Sequence, residues 1–302
     1  MRKRPGPGAD GSWAAQRLAF GWLDGALLIA LGAIVILAFR SAETHSGAPA
    51  QWRVLGHYLL RPDGSPGLLL QGLFTTIRLA VWSGLLALPL GAAAGLARTS
   101  RHLYLRLMAG TYVEICRNLP PLVLVFLCYY FLAEQLTPLL SLQKTLSAAP
   151  EALKAAAEIL IGRLDQADAF ATACVTLGLY EGAYVAEIVR GAVQSVDRGQ
   201  WEAGRAMGFP PLYLQLHIIL PQAVRSAIPP LAGQVISTIK DSSIVSIISI
   251  QELTFQGSQL MATIYLPLEV WACVALLYFV LTFSCSLAAS WLETRLRGLY
   301  TA

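Results

Sequence analysis

The chain has 302 residues, of which 56% are hydrophobic and only 13% charged, with a net charge of +4. A soluble domain carries about 25% charged residues, so this composition excludes an ordinary soluble enzyme. With several long apolar runs it points to an all-α polytopic membrane protein. No basic run is long enough to form a nucleic-acid surface. The five cysteines (Cys116, Cys128, Cys174, Cys273, Cys285) all fall in apolar segments without metal-ligand spacing, as small buried residues do.

In chain order, Met1–Asp24 is a basic, Gly/Pro-containing tail. Gly25–Phe39 is uncharged and reaches ~22 Å as a helix, enough for a thin span if Trp22, Leu23 and snorkelling ends extend it. A cleaved signal peptide is the rival reading, since Ala48-Pro49-Ala50 has a small-x-small pattern. That pattern lies about ten residues past the apolar run, which favours a retained helix. Arg40–Pro66 reads as a polar loop. Leu68–Ala97 is the second expected span, with an uncharged core from Leu79 to Ala97 and Arg78 at its outer end. Arg98–Arg106 is a basic turn. Leu107–Ala133 is the third span, interrupted by Glu114 and by Arg117-Asn118-Leu119-Pro120-Pro121, where the prolines fix a bend and free backbone carbonyls.

Glu134–Asp168 is a polar loop holding a helical patch, Pro150–Arg163. Its apolar positions Leu153, Ala156 or Ala157, Leu160 and Leu164 recur with helical period, so the patch reads as an amphipathic helix outside the bilayer. Ala169–Val189 is the fourth span and carries Glu181. Arg190–Arg225 is a long polar stretch. Ser226–Ile250 is the fifth span and carries Lys240-Asp241. Gln251–Glu269 reads as a loop, and Val270–Trp291 is the sixth span, followed by a short tail with Arg295 and Arg297.

Six spans follow. Of the 22 Lys and Arg residues, thirteen fall on the side of the termini, the 98–106 turn and the 190–225 stretch, and six on the other. The positive-inside rule then places both termini and the 190–225 stretch in the cytoplasm.

That cytoplasmic stretch contains Trp201–Pro221, WEAGRAMGFPPLYLQLHIILP. Gln200–Met207 favours helix, Gly208 is a C-terminal stop, Phe209-Pro210-Pro211 sets a rigid turn, and Leu212–Leu220 resumes as helix. Ala203, Gly204 and Ala206 offer a small-residue surface for the close approach of another backbone. Glu202 and Arg205, three apart, support the helix locally. Phe209 is placed to fill an apolar pocket on a partner.

Glu202-Ala203-Gly204, then Gly208, then Ile218-x-Leu220-Pro221 have the spacing of the EAA loop, and the chain resembles the membrane permease subunits of ABC importers that carry it. Gly182–Gly191, Gln194-Ser195-Val196 and Gly199-Gln200-Trp201 are similar to the polar amino acid uptake branch. So are Glu114-x-x-Arg117-Asn118-x-Pro120 and Lys240-Asp241-Ser242-Ser243. The resemblance covers about Leu68 to Arg297 and departs at Gly204, where that family most often has Ala, and at Glu181, where it has a small or uncharged polar residue.

The resemblance implies a type I importer fold: a five-helix permease core at 63–302 with its EAA loop at 199–221. One extra N-terminal transmembrane helix would lie in 1–62. It implies ABC ATPase subunits that dock on Glu202, Ala203, Gly204, Arg205, Ala206, Gly208 and Phe209. A second permease subunit and a periplasmic or extracellular amino acid-binding protein complete the assembly, in a bacterial cytoplasmic (inner) membrane. No cofactor would be bound by this chain, and ATP-Mg would sit on the partner ATPase. The chain has no G-x-x-x-x-G-K-[ST] phosphate loop, in keeping with that division.

Charged residues inside spans are costly and suggest function. The candidate translocation path comprises Glu114, Arg117, Asn118, Tyr180, Glu181, Tyr184, Lys240, Asp241 and Ser242. Glu114 and Arg117, three apart on one helix, are expected to pair. Structural ion pairs that fix helix register are the other account of these charges. A secondary transporter or channel is the alternative function, but it would call for an inverted repeat with matched broken helices, and none is visible. An embedded enzyme is disfavoured because His45, His57, His102 and His217 all lie outside the spans and form no H-E-x-x-H.

Overall fold

The computed structural model describes residues 52–298, with side chains at 54–135 and 141–292. The expected N-terminal span at Gly25–Phe39 lies outside the described residues. Within them the fold is helical, with no strand.

The first helix, α1 (Trp52–Leu59), sits where the sequence suggested a polar loop. It is amphipathic, and Leu55, Tyr58 and Leu59 pack into a cluster with Leu69, Leu253, Leu260 and Val270. Next, α2 (Leu68–Thr99) spans 32 residues, ~48 Å at 1.5 Å per residue. One face is small or polar and buried, running through Gly72, Thr76, Ser83, Ala87, Gly91 and Gly95. The opposite face exposes Val81, Leu85, Leu86 and Leu88. Small residues at every third or fourth position let helices in a membrane approach closely. At Gly91 a Cβ would lie 2.4 Å from the Cβ of Val185 and 2.7 Å from the carbonyl oxygen of Gly182, so no side chain fits.

The third expected span is broken. Helix α3 (Leu103–Asn118) and helix α4 (Pro121–Leu140) are bent by 118° at the break between them. Leu119 is extended (φ −83°, ψ 146°), as the residue before a proline prefers, and Pro120 cannot continue the helical ladder. The following segment forms α5 (Leu142–Ser147) and α6 (Glu151–Leu160), then a 3-10 turn at Leu164–Gln166. The backbone N–H of Leu142 donates to Asp168 Oδ1 at 2.7 Å, tying this excursion to the start of α7 (Ala167–Gln194).

Helix α7 is the centre of the fold: more than half of its residues are buried, among them Leu177, Glu181, Ala183 and Ala186. Beyond it come α8 (Arg198–Ala206), α9 (Pro211–Leu214), a wide π turn at Gln215–Ile219 and α10 (Leu220–Asp241). A 3-10 segment at Ser242–Ile248 follows, then α11 (Leu253–Ile264) and α12 (Pro267–Gly298).

Three described stretches are long and apolar enough to cross a membrane: Leu68–Thr99, Leu164–Gln194 and Pro267–Leu292. The bent α3–α4 pair makes a fourth if it is one span. The expected fifth span, Ser226–Ile250, is the body of α10 joined to a 3-10 segment that ends at Ser249 in left-handed conformation (φ 65°), and it is not among these four. Pro229 and Pro230 inside α10 and its polar residues lower its apolar character.

The Gln251–Glu269 loop expectation is also corrected. Glu252 caps α11, accepting from the N–H groups of Thr254 (2.9 Å) and Phe255 (2.7 Å) and from the Tyr278 hydroxyl (2.7 Å). Burial pushes its carboxyl above the ordinary value, with these hydrogen bonds opposing the rise. Leu253, Gln256, Gly257 and Leu260 then bury one helical face.

Candidate functional site: a braced loop and two carboxylate clusters

The loop begins with Asp197, whose side chain accepts from the N–H of Gly199 at 2.6 Å and caps α8. At the other end, Gly208 adopts φ 77°. Its N–H donates to Arg205 O at 3.0 Å, and the N–H of Phe209 donates to Gly204 O at 3.1 Å. That pair of bonds is a Schellman stop, which needs the left-handed conformation glycine supplies. No atom lies within 4 Å of a Cβ at Gly208, so conformation and not space selects glycine there. Pro211 then starts α9 at its first helical position, where its missing N–H costs nothing.

The seven expected docking residues divide into two sets. Glu202, Ala203, Arg205, Ala206 and Gly208 are exposed. Gly204 is not: it is buried, and a Cβ there would stand 2.3 Å from Leu214 Cδ1. The close approach it permits is made by this chain's own Leu214. Phe209 is half-buried against the cluster of Val193, Val196, Leu214 and Ile219, with its ring 5.1 Å from that of Tyr213. It braces the loop from within. The outward apolar side chains are instead Met207 (71% exposed), Leu212 (68%) and Leu216, which the sequence reading passed over. The spacing of Leu212 and Leu216, four apart on one helical face, was the available signal.

The expected path residues form three groups. First, Glu114 and Arg117 do not pair with each other. Arg98 of α2 reaches Glu187 of α7 and, at 3.5 Å, Glu114 of α3. Arg117 lies 3.6 Å from Glu187 and 5.6 Å over the Tyr184 ring, and Arg190 donates to Glu187. Asn118 donates to Glu114 at 2.9 Å. Arg98 and Glu187, 89 positions apart, outcompete the local pair because they converge from packed neighbouring helices.

Second, Glu181 is fully buried. Gln234 of α10 donates to its Oε2 at 2.6 Å, while its Oε1 has no hydrogen-bond partner. Asp241, at the end of α10, and Tyr180 are its charged and polar neighbours. The hydroxyls of Tyr180 and Tyr184 lie 3.1 Å apart. Third, Lys240 turns away from this cluster. It lines a separate cavity of about 310 Å³ with Ser243, Thr254, Trp271 and Tyr278, as adjacent helical residues diverge. Ser242 is buried and donates to Ile239 O at 2.8 Å. Among the described residues no group of His, Cys, Asp and Glu is arranged to hold a metal ion.

Residues 87–298 match the family described as "binding-protein-dependent transport system inner membrane component". The chain belongs to this family. It is a membrane permease of the ABC importer type. A probable glutamine ABC transporter permease protein, GlnM of Bacillus subtilis, is 31% identical over 231 residues, covering 76% of this chain and 94% of that protein. The glutamine transport system permease protein GlnP of Escherichia coli K12 is 33% identical over 230 residues, covering 76% and 93%. Among solved structures, the crystal structure of an amino acid ABC transporter with histidines superposes with a TM-score of 0.60 at 28% identity, covering 76% of this chain and 94% of that one. These relatives support the importer reading and not a secondary transporter or channel.

Proposed function

We propose that this permease carries a polar amino acid across a bacterial inner membrane, powered by a separate ATPase that docks on the exposed face of α8. The carrying observation is the construction of the loop. Helix α8 is capped at both ends and seated on Phe209, Leu214 and Ile219, so a push on Glu202, Ala203, Arg205 and Ala206 reaches α7 and α10 without being lost in bending. The positive-inside bias supports a cytoplasmic loop and cytoplasmic termini.

In this reading, ATP-Mg binds the partner ATPases, whose closure draws the loops of two paired permease subunits together. The spans rock, an external binding protein releases its amino acid into the path, and hydrolysis resets the cycle. The glutamine transport of the named relatives, and the description of the solved structure as an amino acid transporter, support the substrate class. Glu181 and Asp241 would meet the ammonium group of the substrate, because a buried carboxylate oxygen without a partner favours an incoming donor.

The test is Ala203→Glu combined with Ala206→Glu in the complex reconstituted with its ATPase. These exposed positions tolerate a side chain, so the permease should fold while uptake and substrate-stimulated ATP hydrolysis are both lost. Normal uptake would overturn the docking role.

A further inference from the structure

Helix α6 (Glu151–Leu160) lies at the opposite end of α7 from α8, ~42 Å away along 28 helical residues. Its last carbonyls lack intrahelical partners, and two are taken by side chains of the membrane-crossing helix α2. Arg78 Nε donates to Ile159 O at 2.9 Å, and Trp82 Nε1 donates to Leu160 O at 3.0 Å. Gly162, at φ 96° and packed against the Arg78 guanidinium, turns the chain back toward α7.

The two sides of α6 differ in chemistry. Glu151 and Lys154 pair at 2.9 Å, and Glu158 helps line a cavity of about 420 Å³ with Arg78, Arg163 and Gln166. The other side exposes Leu153, Leu160 and Ile159, the last at 73%, with Ala152, Ala155 and Ala156 between them.

We propose that α6 lies within the bilayer surface, with Leu153, Ile159 and Leu160 in the acyl-chain boundary of the leaflet opposite the α8 loop. Three observations carry this. The uncharged stretch from Leu79 to Ala97 is ~28 Å long, close to a hydrocarbon core of ~30 Å, so Arg78 marks the edge of that core. The residues that hold α6 there, an Arg and a Trp, are the types that anchor at this boundary. The helical face of α2 that carries Arg78 and Trp82 also exposes Val81 and Leu85, so the surface to which α6 is tied is itself apolar. A soluble partner would have to reach down to the level of the hydrocarbon edge to cover the same surface. As a consequence, α6 stands as a wall between lipid and the cavity behind it.

Nitroxide labels at Leu153→Cys, Ile159→Cys and Glu151→Cys test the placement, in the full complex in lipid nanodiscs with the five native cysteines replaced. Collisions with oxygen should exceed those with a water-soluble nickel chelate at 153 and 159, and the order should reverse at 151. Nickel accessibility at 159 equal to that at 151 would overturn the proposal. Dipolar coupling between labels at 159 on two copies would instead assign the face to a subunit contact. Immobilisation only on adding the binding protein would assign it to that partner. Should the cysteine-free chain not fold, the native chain can be photolabelled with a phospholipid carrying a diazirine near its headgroup. Label on residues 152–160 supports the placement, and label on α2 with none on α6 overturns it.

Discussion

Two carboxylate clusters lie on α7, six residues apart, and they are built on opposite principles. Glu187 is a quarter exposed and meets three guanidinium groups, those of Arg98, Arg117 and Arg190. Glu181 is fully buried, accepts a hydrogen bond from the Gln234 amide, keeps one oxygen without a hydrogen bond, and has Thr238 and another carboxylate, Asp241, for neighbours. The first cluster is electrically satisfied and ties α2, α3 and α7 together. The second is an acid held where charge is expensive, with less compensation than burial demands. Such an arrangement is poor for stability, and under the proposed function it is where the substrate's ammonium group would be met.

Substitution of each carboxylate tests the contrast. The largest effect is expected at Glu181→Gln. Gln keeps a partner for Gln234 and removes the burial cost, so thermal stability should hold or rise, while uptake in proteoliposomes should fall roughly tenfold or more, about 1.4 kcal/mol of barrier. Unchanged uptake would reduce Glu181 to a structural residue.

Glu252 is the buried carboxylate with full satisfaction and serves as the reference. Glu252→Ala strands two N–H groups and the Tyr278 hydroxyl, and should cost about 2 kcal/mol in a thermal melt, with Glu252→Gln recovering part of it. Its folded-state pKa is raised above the ordinary value. Whatever stability its protonated form contributes is therefore present at low pH and lost as pH rises through that raised value. The melting temperature of the wild-type chain should show this slope, and Glu252→Gln should flatten it.

Glu187→Gln leaves three guanidiniums facing one another. Partial exposure screens them, so a loss of about 1–2 kcal/mol is expected, with a melting temperature that recovers at high salt. Glu114→Gln should do least, under about 0.5 kcal/mol, because Glu114 is mostly exposed and Arg98 retains Glu187.

The same contrast explains what the sequence made legible. Features encoded within a few residues read out well. The Leu119-Pro120 break, the Gly208 stop and the span at Leu68–Ala97 all rest on local backbone rules or on length. The helical patch at 150–163 emerged from its period. What escaped depends on residues far apart in the chain. Arg98 and Glu187 replace the expected Glu114–Arg117 pair. Tyr278 completes the Glu252 cap that starts α11, where only a loop was expected. Leu214 claims the surface of Gly204 that looked free for a partner, and Phe209 turns inward for the same reason. An apolar run also reads as one span whether its helix continues, as in α12, or gives way to a 3-10 segment, as after α10.

The contact at Gly91 limits how the permease can move. With Val185 seated over a residue that has no side chain, and Gly95 equally close to the Ala186 carbonyl, α2 and α7 are keyed like a tongue in a slot. Sliding one past the other by a single residue, ~1.5 Å, would drive Val185 into the next side chain along. This packing resists sliding of α2 along α7. The joints of the machine are left to places where the helices already break: the 118° elbow before Pro121, the π turn after α9, and the left-handed residues Ser249 and Tyr265 that flank α11.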